Sequence, residues 1–341
     1  MRKSFIILLY CLPFSLAAQV NFDRYFTDKV LRFDFMFAGN NSKITVYPVG
    51  MKEEPYFSGS RTQLVDPFNY GNFKFEIYDA AENKLLYSRG FSTLFQEWQT
   101  TAEAKVMERS FYEVATMPFP RNKIRFVLSA RERNGTFYKL YETQIDPSDY
   151  FIRKEKPVRA NVTNILSSGD PATCVDLVFI AEGYTENEME KFRNDVKRLS
   201  DILLNEPPYN DYRNKFNISA VEAVSSESGT DVPGESIYVN TALNSSFYTF
   251  GTARYLTTQD MRSVNDYAAL APHDNIIVLM NSPRYGGGGV YNYYSGITSD
   301  NNRAKYLLIH EFGHGFAGLA DEYYSKDVAY EEFYPLDVEP W

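Results

Sequence analysis

Hydrophobic and polar positions change their rhythm near the middle of the chain. From residue 20 to about 150 they alternate, with aromatic side chains at many apolar positions. Val30-Leu-Arg-Phe-Asp-Phe-Met-Phe37, Phe73-Lys-Phe-Glu-Ile-Tyr78 and Leu85-Leu-Tyr87 read as strands, and Asn134-Gly135 joins Lys123–Ala130 to Phe137–Glu142 as a type I′ hairpin. The expected architecture of residues 19–150 is an all-β sandwich. Its aromatics would suit glycan or protein binding if exposed, but strand aromatics more often fill a core. No site is legible in this half.

Residues 151–173, with Pro157 and Gly169-Asp-Pro171, read as a linker. Beyond it the pattern becomes α/β. Val175–Ala181 is an unbroken apolar run typical of a buried strand, Glu186–Leu204 has helical spacing, Phe216–Val224 is strand-like, and Asn275–Met280 is a second buried strand. A last helix is expected from about Asn302 to Ala317. Val290-Tyr-Asn-Tyr-Tyr-Ser-Gly-Ile297, just ahead of it, reads either as an edge strand or as a surface hairpin.

Composition narrows the setting. Met1-Arg-Lys, the apolar stretch Ser4–Phe14 and Ser15-Leu-Ala-Ala18 have the layout of a cleaved secretory signal, 1–18, too short to span a bilayer. The product is expected outside the cytoplasm: secreted, periplasmic or at the cell surface, without stable membrane insertion. Of two cysteines, Cys11 leaves with the signal, so Cys174 has no intrachain partner and is expected to be a buried small hydrophobe. The formal charge of −9 argues against nucleic acid or anionic membranes as partners. Gly286–Gly289 lacks the Lys and Ser/Thr of a phosphate loop. Nothing in the composition reports the oligomeric state.

The chemistry gathers in His310-Glu311-Phe312-Gly313-His314. Histidines four apart on a helix lie one turn above each other, so both imidazoles reach one ion with the glutamate beside them. The competing reading is a buried helix with two structural histidines. Leu308, Ile309, Phe312 and Phe316 would form an apolar back to the helix, opposite the histidines. Gly313 and Gly315 each cost about 1 kcal/mol relative to alanine inside a helix, which suggests close packing. Such a site would hold one Zn²⁺ per chain through His310, His314 and a third ligand, with water in the open position. Glu311 would take the proton of that water, which then attacks a peptide carbonyl polarised by the metal. On a continuing helix Asp321 would lie about 10 Å past His314 along the axis. It can be the third ligand only if the chain turns at Gly318; Glu322 is the alternative, and both also suit a solvated turn. Tyr323 or Tyr324 would suit a donor to the developing oxyanion. Gly288, Gly289, Val290 and Tyr291 lie where a substrate strand would pair. His273, in Pro272-His-Asp274, reads as structural, and Ser225–Asp231 as a polar loop.

The run from His310 to Tyr324 resembles the bacterial IgA peptidase family, peptidase family M64. Asp176–Tyr184, Asn240–Ser246 and Ser282–Tyr291 look like the same family's catalytic domain. The resemblance spans about 160–341 and implies His310 and His314 as zinc ligands and Glu311 as the catalytic residue; Asp321 is inferred from spacing alone. The expectation is a secreted zinc endopeptidase acting on protein or peptide, with an α/β zincin-like, metzincin-related domain over 174–341. The rival is a catalytically weak or inactive relative serving as an extracellular binding module. No methionine follows Met280, so the methionine turn of metzincins is missing, and the chain is expected to stop short of a complete fold.

Overall fold

The computed structural model describes residues 20–155 and 157–321. The N-terminal half begins with a one-turn helix, α1 (Phe22–Tyr25), capped by the Asn21 side chain, and runs directly into β1 (Phe26–Gly39). There follow β2 (Ile44–Glu54), β3 (Phe73–Asp79), β4 (Leu85–Phe91), α2 (Leu94–Gln99), β5 (Arg109–Pro120), β6 (Ile124–Arg131), β7 (Phe137–Ile145) and β8 (Ile152–Arg153). The strands form two four-stranded sheets, ordered β5-β1-β2-β8 and β4-β3-β6-β7. Phe33 and Phe37 of β1 meet Phe126 and Phe73 of the other sheet with ring centroids 4.9 and 4.5 Å apart. The alternating aromatics are therefore the sandwich core.

Two local expectations change. Among Arg133, Asn134 and Gly135 only Gly135 has positive φ, and its N–H closes the turn on Glu132 O at 2.9 Å. A type I′ turn needs positive φ at both central residues, so this is a three-residue loop with a glycine bulge. The stretch 151–173 is not bare linker: β8 pairs with β2 in the sandwich, and β9 (Asn161–Leu166) joins the sheet of the second half. Short and largely polar, neither strand has a clear apolar alternation.

The second half contains β10 (Val175–Glu182), α3 (Met189–Leu203), β11 (Phe216–Glu222), α4 (Met261–Ala268), β12 (Asn275–Met280), β13 (Gly287–Val290), β14 (Tyr294–Thr298) and α5 (Ala304–Ala317). Its sheet is ordered β13-β14-β12-β10-β11-β9, with the four central strands parallel and both edges antiparallel. The apolar run of β10 reflects burial on both faces. Leu177, Phe179 and Ala181 join the core beneath α3 and α5, while Val178 and Ile180 belong to a core that continues into the sandwich. Val290–Ile297 is not one edge strand: it is the end of β13, a turn and most of β14. Cys174 is half-buried at the entrance to β10 and is not a core residue.

The domains are joined by charge as well as by oil. Arg32 and Asp34 occupy the polar alternation of β1, yet both are fully buried because that face lies under the second domain. The Arg32 guanidinium bonds Asp34 at 2.6 Å, Glu54 at 3.1 Å and Asp266 of α4 at 2.7 Å, and Lys52 reaches Asp266 at 2.9 Å. Burial pushes the Glu54 carboxyl up to about 7 against the pull of Arg32. Removing Asp266 takes away the acceptor shared by Arg32 and Lys52 while Arg32 keeps Asp34 and Glu54, and a lost hydrogen bond between charged groups costs about 1.5–3 kcal/mol. Asp266→Ala is therefore expected to destabilise both domains together. Urea unfolding followed by the buried Trp98 and by far-ultraviolet dichroism should show one coincident transition, moved to lower urea.

Candidate metal centre

Helix α5 is wedged between α3 and the β13–β14 hairpin. Leu307, Leu308 and Phe312 are buried, Ile309 and Phe316 half-buried, so the apolar back is present but narrower than the wheel suggests. The other contact is with β14 and β13. A Cβ on Gly315 would collide with the Ser295 hydroxyl, which donates to Glu311 O at 2.9 Å, and one on Gly289 would collide with the backbone of Glu311. Gly313 differs: its nearest neighbour would be Leu319 at an ordinary 3.5 Å. Close packing thus accounts for Gly315 but not for Gly313.

The helix ends at Gly318, whose φ of 67° is left-handed. Its N–H returns to His314 O at 3.0 Å and that of Leu319 to Gly313 O at 3.3 Å, supplying acceptors at the helix end with donors. The turn has two consequences. Leu319 O comes within 2.5 Å of His314 Nδ1, which as an N–H donor leaves Nε2 as the free lone pair. Asp321 Oδ1 comes within 3.2 Å of His310 Nε2 and 3.1 Å of His314 Nε2, while the two Nε2 atoms are 3.2 Å apart. Donors at 2.0–2.1 Å from a tetrahedral zinc ion lie about 3.3 Å from one another. The three atoms form a triangle of nearly that size. Two imidazoles and a carboxylate are also a donor set suited to zinc, and no other such group of His, Cys, Asp or Glu occurs among the described residues.

Glu311 sits between the histidines and is only 8% exposed, against 42% for the side chain of His310. Burial pushes its carboxyl up to about 7, opposed by the two imidazoles and by the backbone N–H of Gly289. The hydrogen bond that its ring N–H donates to the Asp321 carboxylate raises the pKa of His310. Burial disfavours charge on His314, but Asp321 and Leu319 O prevail and take it to about 9. Partial desolvation works against charge on the exposed Asp321, yet the imidazoles hold its carboxyl well below the usual range.

Val290 is buried, and the ring of Tyr291 lies against Gly318, supporting the turn that carries Asp321. The space over Gly288 is filled by the ring of Tyr255, and that over Gly289 by α5. These glycines make room for the protein's own packing. Glu322, Tyr323 and Tyr324, like the segment 1–18, lie outside the described residues. His273 is structural: its Nδ1 is 3.0 Å from Ala271 O, and Ser58 of the sandwich donates to its carbonyl. Ser225 is likewise structural, its hydroxyl accepting from the N–H groups of Gly183 and Ala242. Two residues with no sequence signal also border the site. Glu97 of α2 accepts from the Tyr255 hydroxyl at 2.5 Å, and the charges of Glu311, Asp321 and His314 all act on it. Tyr255 is one of 27 tyrosines, and Glu97 lies in another domain.

Helix-borne imidazoles, a carboxylate folded back onto them and a buried glutamate alongside belong to the metallopeptidases. Family models agree along most of the chain. Residues 163–341 match IgA Peptidase M64 and residues 21–142 match Peptidase M64 N-terminus, so the chain belongs to the M64 peptidase family, whose substrates are proteins or peptides. No functionally curated protein matches it.

The glycines and the ligands can be tested separately. Gly315→Ala should lower the melting temperature, whereas Gly313→Ala should leave it unchanged or raise stability by up to about 1 kcal/mol. Ligation also requires neutral imidazoles, and the metal-free chain keeps a proton on His314 up to about pH 9. Metal uptake at pH 7 should therefore release protons, measurable in weakly buffered solution, and affinity should rise with pH towards 9.

Proposed function

We propose that this chain is an exported zinc endopeptidase in which His310, His314 and Asp321 hold the ion and Glu311 is the general base. The convergence of three donor atoms at 3.1–3.2 Å beside a buried carboxylate carries this reading. The sheet supports it too: the antiparallel edge strand β13 precedes the motif helix and packs on it, the arrangement expected of a zincin-like domain. Export rests on the signal-like Met1–Ala18; no helix among the described residues is long and apolar enough to cross a membrane.

When bound, zinc supplies Lewis acidity towards the scissile carbonyl and brings the pKa of water down to about 7. The protein's own residues manage position and protons. Leu319 O fixes the ring of His314, while the Gly318 turn sets Asp321 between the two imidazoles. Glu311 accepts a proton on its carboxylate from the attacking water and delivers it to the amine nitrogen as the peptide bond breaks. Its burial suits this, because a carboxyl near 7 both takes and gives a proton at neutral pH.

Removing the base should cost about 10²–10⁴-fold in rate without removing the metal. Wild type and Glu311→Gln, each with zinc measured by elemental analysis, should be compared on a peptide library. One zinc per chain with equal turnover in both proteins would sink the proposed mechanism. Asp321→Ala should lose zinc as well as activity.

A further inference from the structure

The free edge of β13 is the natural place for a substrate main chain, and the protein itself has already occupied most of it. Successive residues of an antiparallel edge strand direct their polar groups alternately inward and outward. Gly287 and Gly289 share the outward side of this alternation, Tyr291 opens the turn that follows, and each of the three has a different neighbour. Gly287 is bridged by Tyr255 from the segment Ser246–Thr258. Tyr291 O accepts the N–H of Ser92, from the sandwich domain, at 2.9 Å. Between them Gly289 turns its N–H towards Glu311.

Both caps are firmly tied. The segment bearing Tyr255 is fastened to β14 by Tyr294, whose hydroxyl accepts from Thr258 N–H and donates to Thr258 O, both at 2.8 Å. The Tyr255 hydroxyl is held by Glu97 of the sandwich domain. On the other side, the Ser92 hydroxyl donates to Asn72 at 2.9 Å, and Asn292 donates to Gly90 O at 2.8 Å. A continuous apolar core and the Arg32–Asp266 cluster hold the domains in this relation.

We infer that Tyr255, Glu97 and Ser92 are specificity-determining residues: among the described residues, the two domains and Glu311 leave only the carbonyl of Gly289 to a substrate main chain. The enzyme then pairs with one residue of a peptide beside Glu311. Its substrates are segments that bend away on both sides, such as exposed turns, rather than extended strands. This rests on the peptidase reading for its consequence, but not for its geometry.

A backbone N-methylation scan tests it, using a substrate peptide from the library and the zinc-loaded Glu311→Gln protein, with binding read by fluorescence anisotropy. One methylated position should weaken binding at least tenfold. In Tyr255→Ala a second sensitive position should appear two residues away, with KM falling for longer peptides and kcat little changed. Two or more sensitive positions at two-residue spacing in the Tyr255-containing protein would show an open edge and overturn the inference. Because Tyr255→Ala also removes a packed ring, hydrogen exchange on the full wild-type chain gives a second measurement that needs no substitution. The Ser92 amide should be protected like a core strand, and exchange at the rate of a free loop would equally defeat the clamp. Absence of cleavage by zinc-loaded wild type, with a single sensitive position in the binding scan, would refute the peptidase reading and leave the clamp standing.

Discussion

The depth at which α5 lies on the β13–β14 hairpin is the constraint from which the site follows. Gly315 on Ser295, and Gly289 on the backbone of Glu311, bring helix and sheet closer than any residue with a Cβ would permit. That approach buries Glu311 while leaving the imidazole of His310 accessible. It also brings polar side chains of the sheet to the last turns of the helix: Ser295 donates to Glu311 O, and Asn275 donates to Gly315 O at 3.2 Å. A helix one side chain further out would expose Glu311 to water, return its carboxyl towards an ordinary acidity and strip the Gly315 carbonyl, at the helix end, of its partner on the sheet.

The elements that could be read from the sequence were those whose pattern is set locally. The β10 and β12 runs, the helix after Thr185 and the spacing of His310 and His314 each express one periodicity over one element. Gly318 was legible too, because only a left-handed turn could bring Asp321 back to the histidines. The misses depended on distant chain. Arg32 and Asp34 occupy positions that local alternation marks as solvent-facing, and only the second domain turns that face into an interior. The glycines of β13 gave the same ambiguity: close approach was legible, but not by what. They serve Tyr255 and α5, whose identity is fixed by tertiary packing. Glu97 carried no signal because its neighbourhood to Glu311 exists only after the domains dock.

Docking also changes the meaning of the N-terminal domain. A sandwich attached by a flexible connection would be a separable recognition module, free to reorient. Here its β1 shares a core with the central sheet, its charged face is neutralised by α4, and the segment Arg89–Glu97 runs past the turn at Asn292 towards Tyr255. The sandwich is a wall of the site.

The chain passes between the domains as β9, the outermost strand of the catalytic sheet. It lies antiparallel on β11, from Leu166 beside Ile218 to Asn161 beside Glu222. Because the connecting peptide is itself a strand, the natural seam for dissection falls before Asn161. A fragment beginning at Cys174 would expose β11 as a bare ribbon of unsatisfied N–H and C=O groups, a template for chain-to-chain pairing. What looks like a spacer is also the guard that keeps the catalytic sheet from growing into its neighbours.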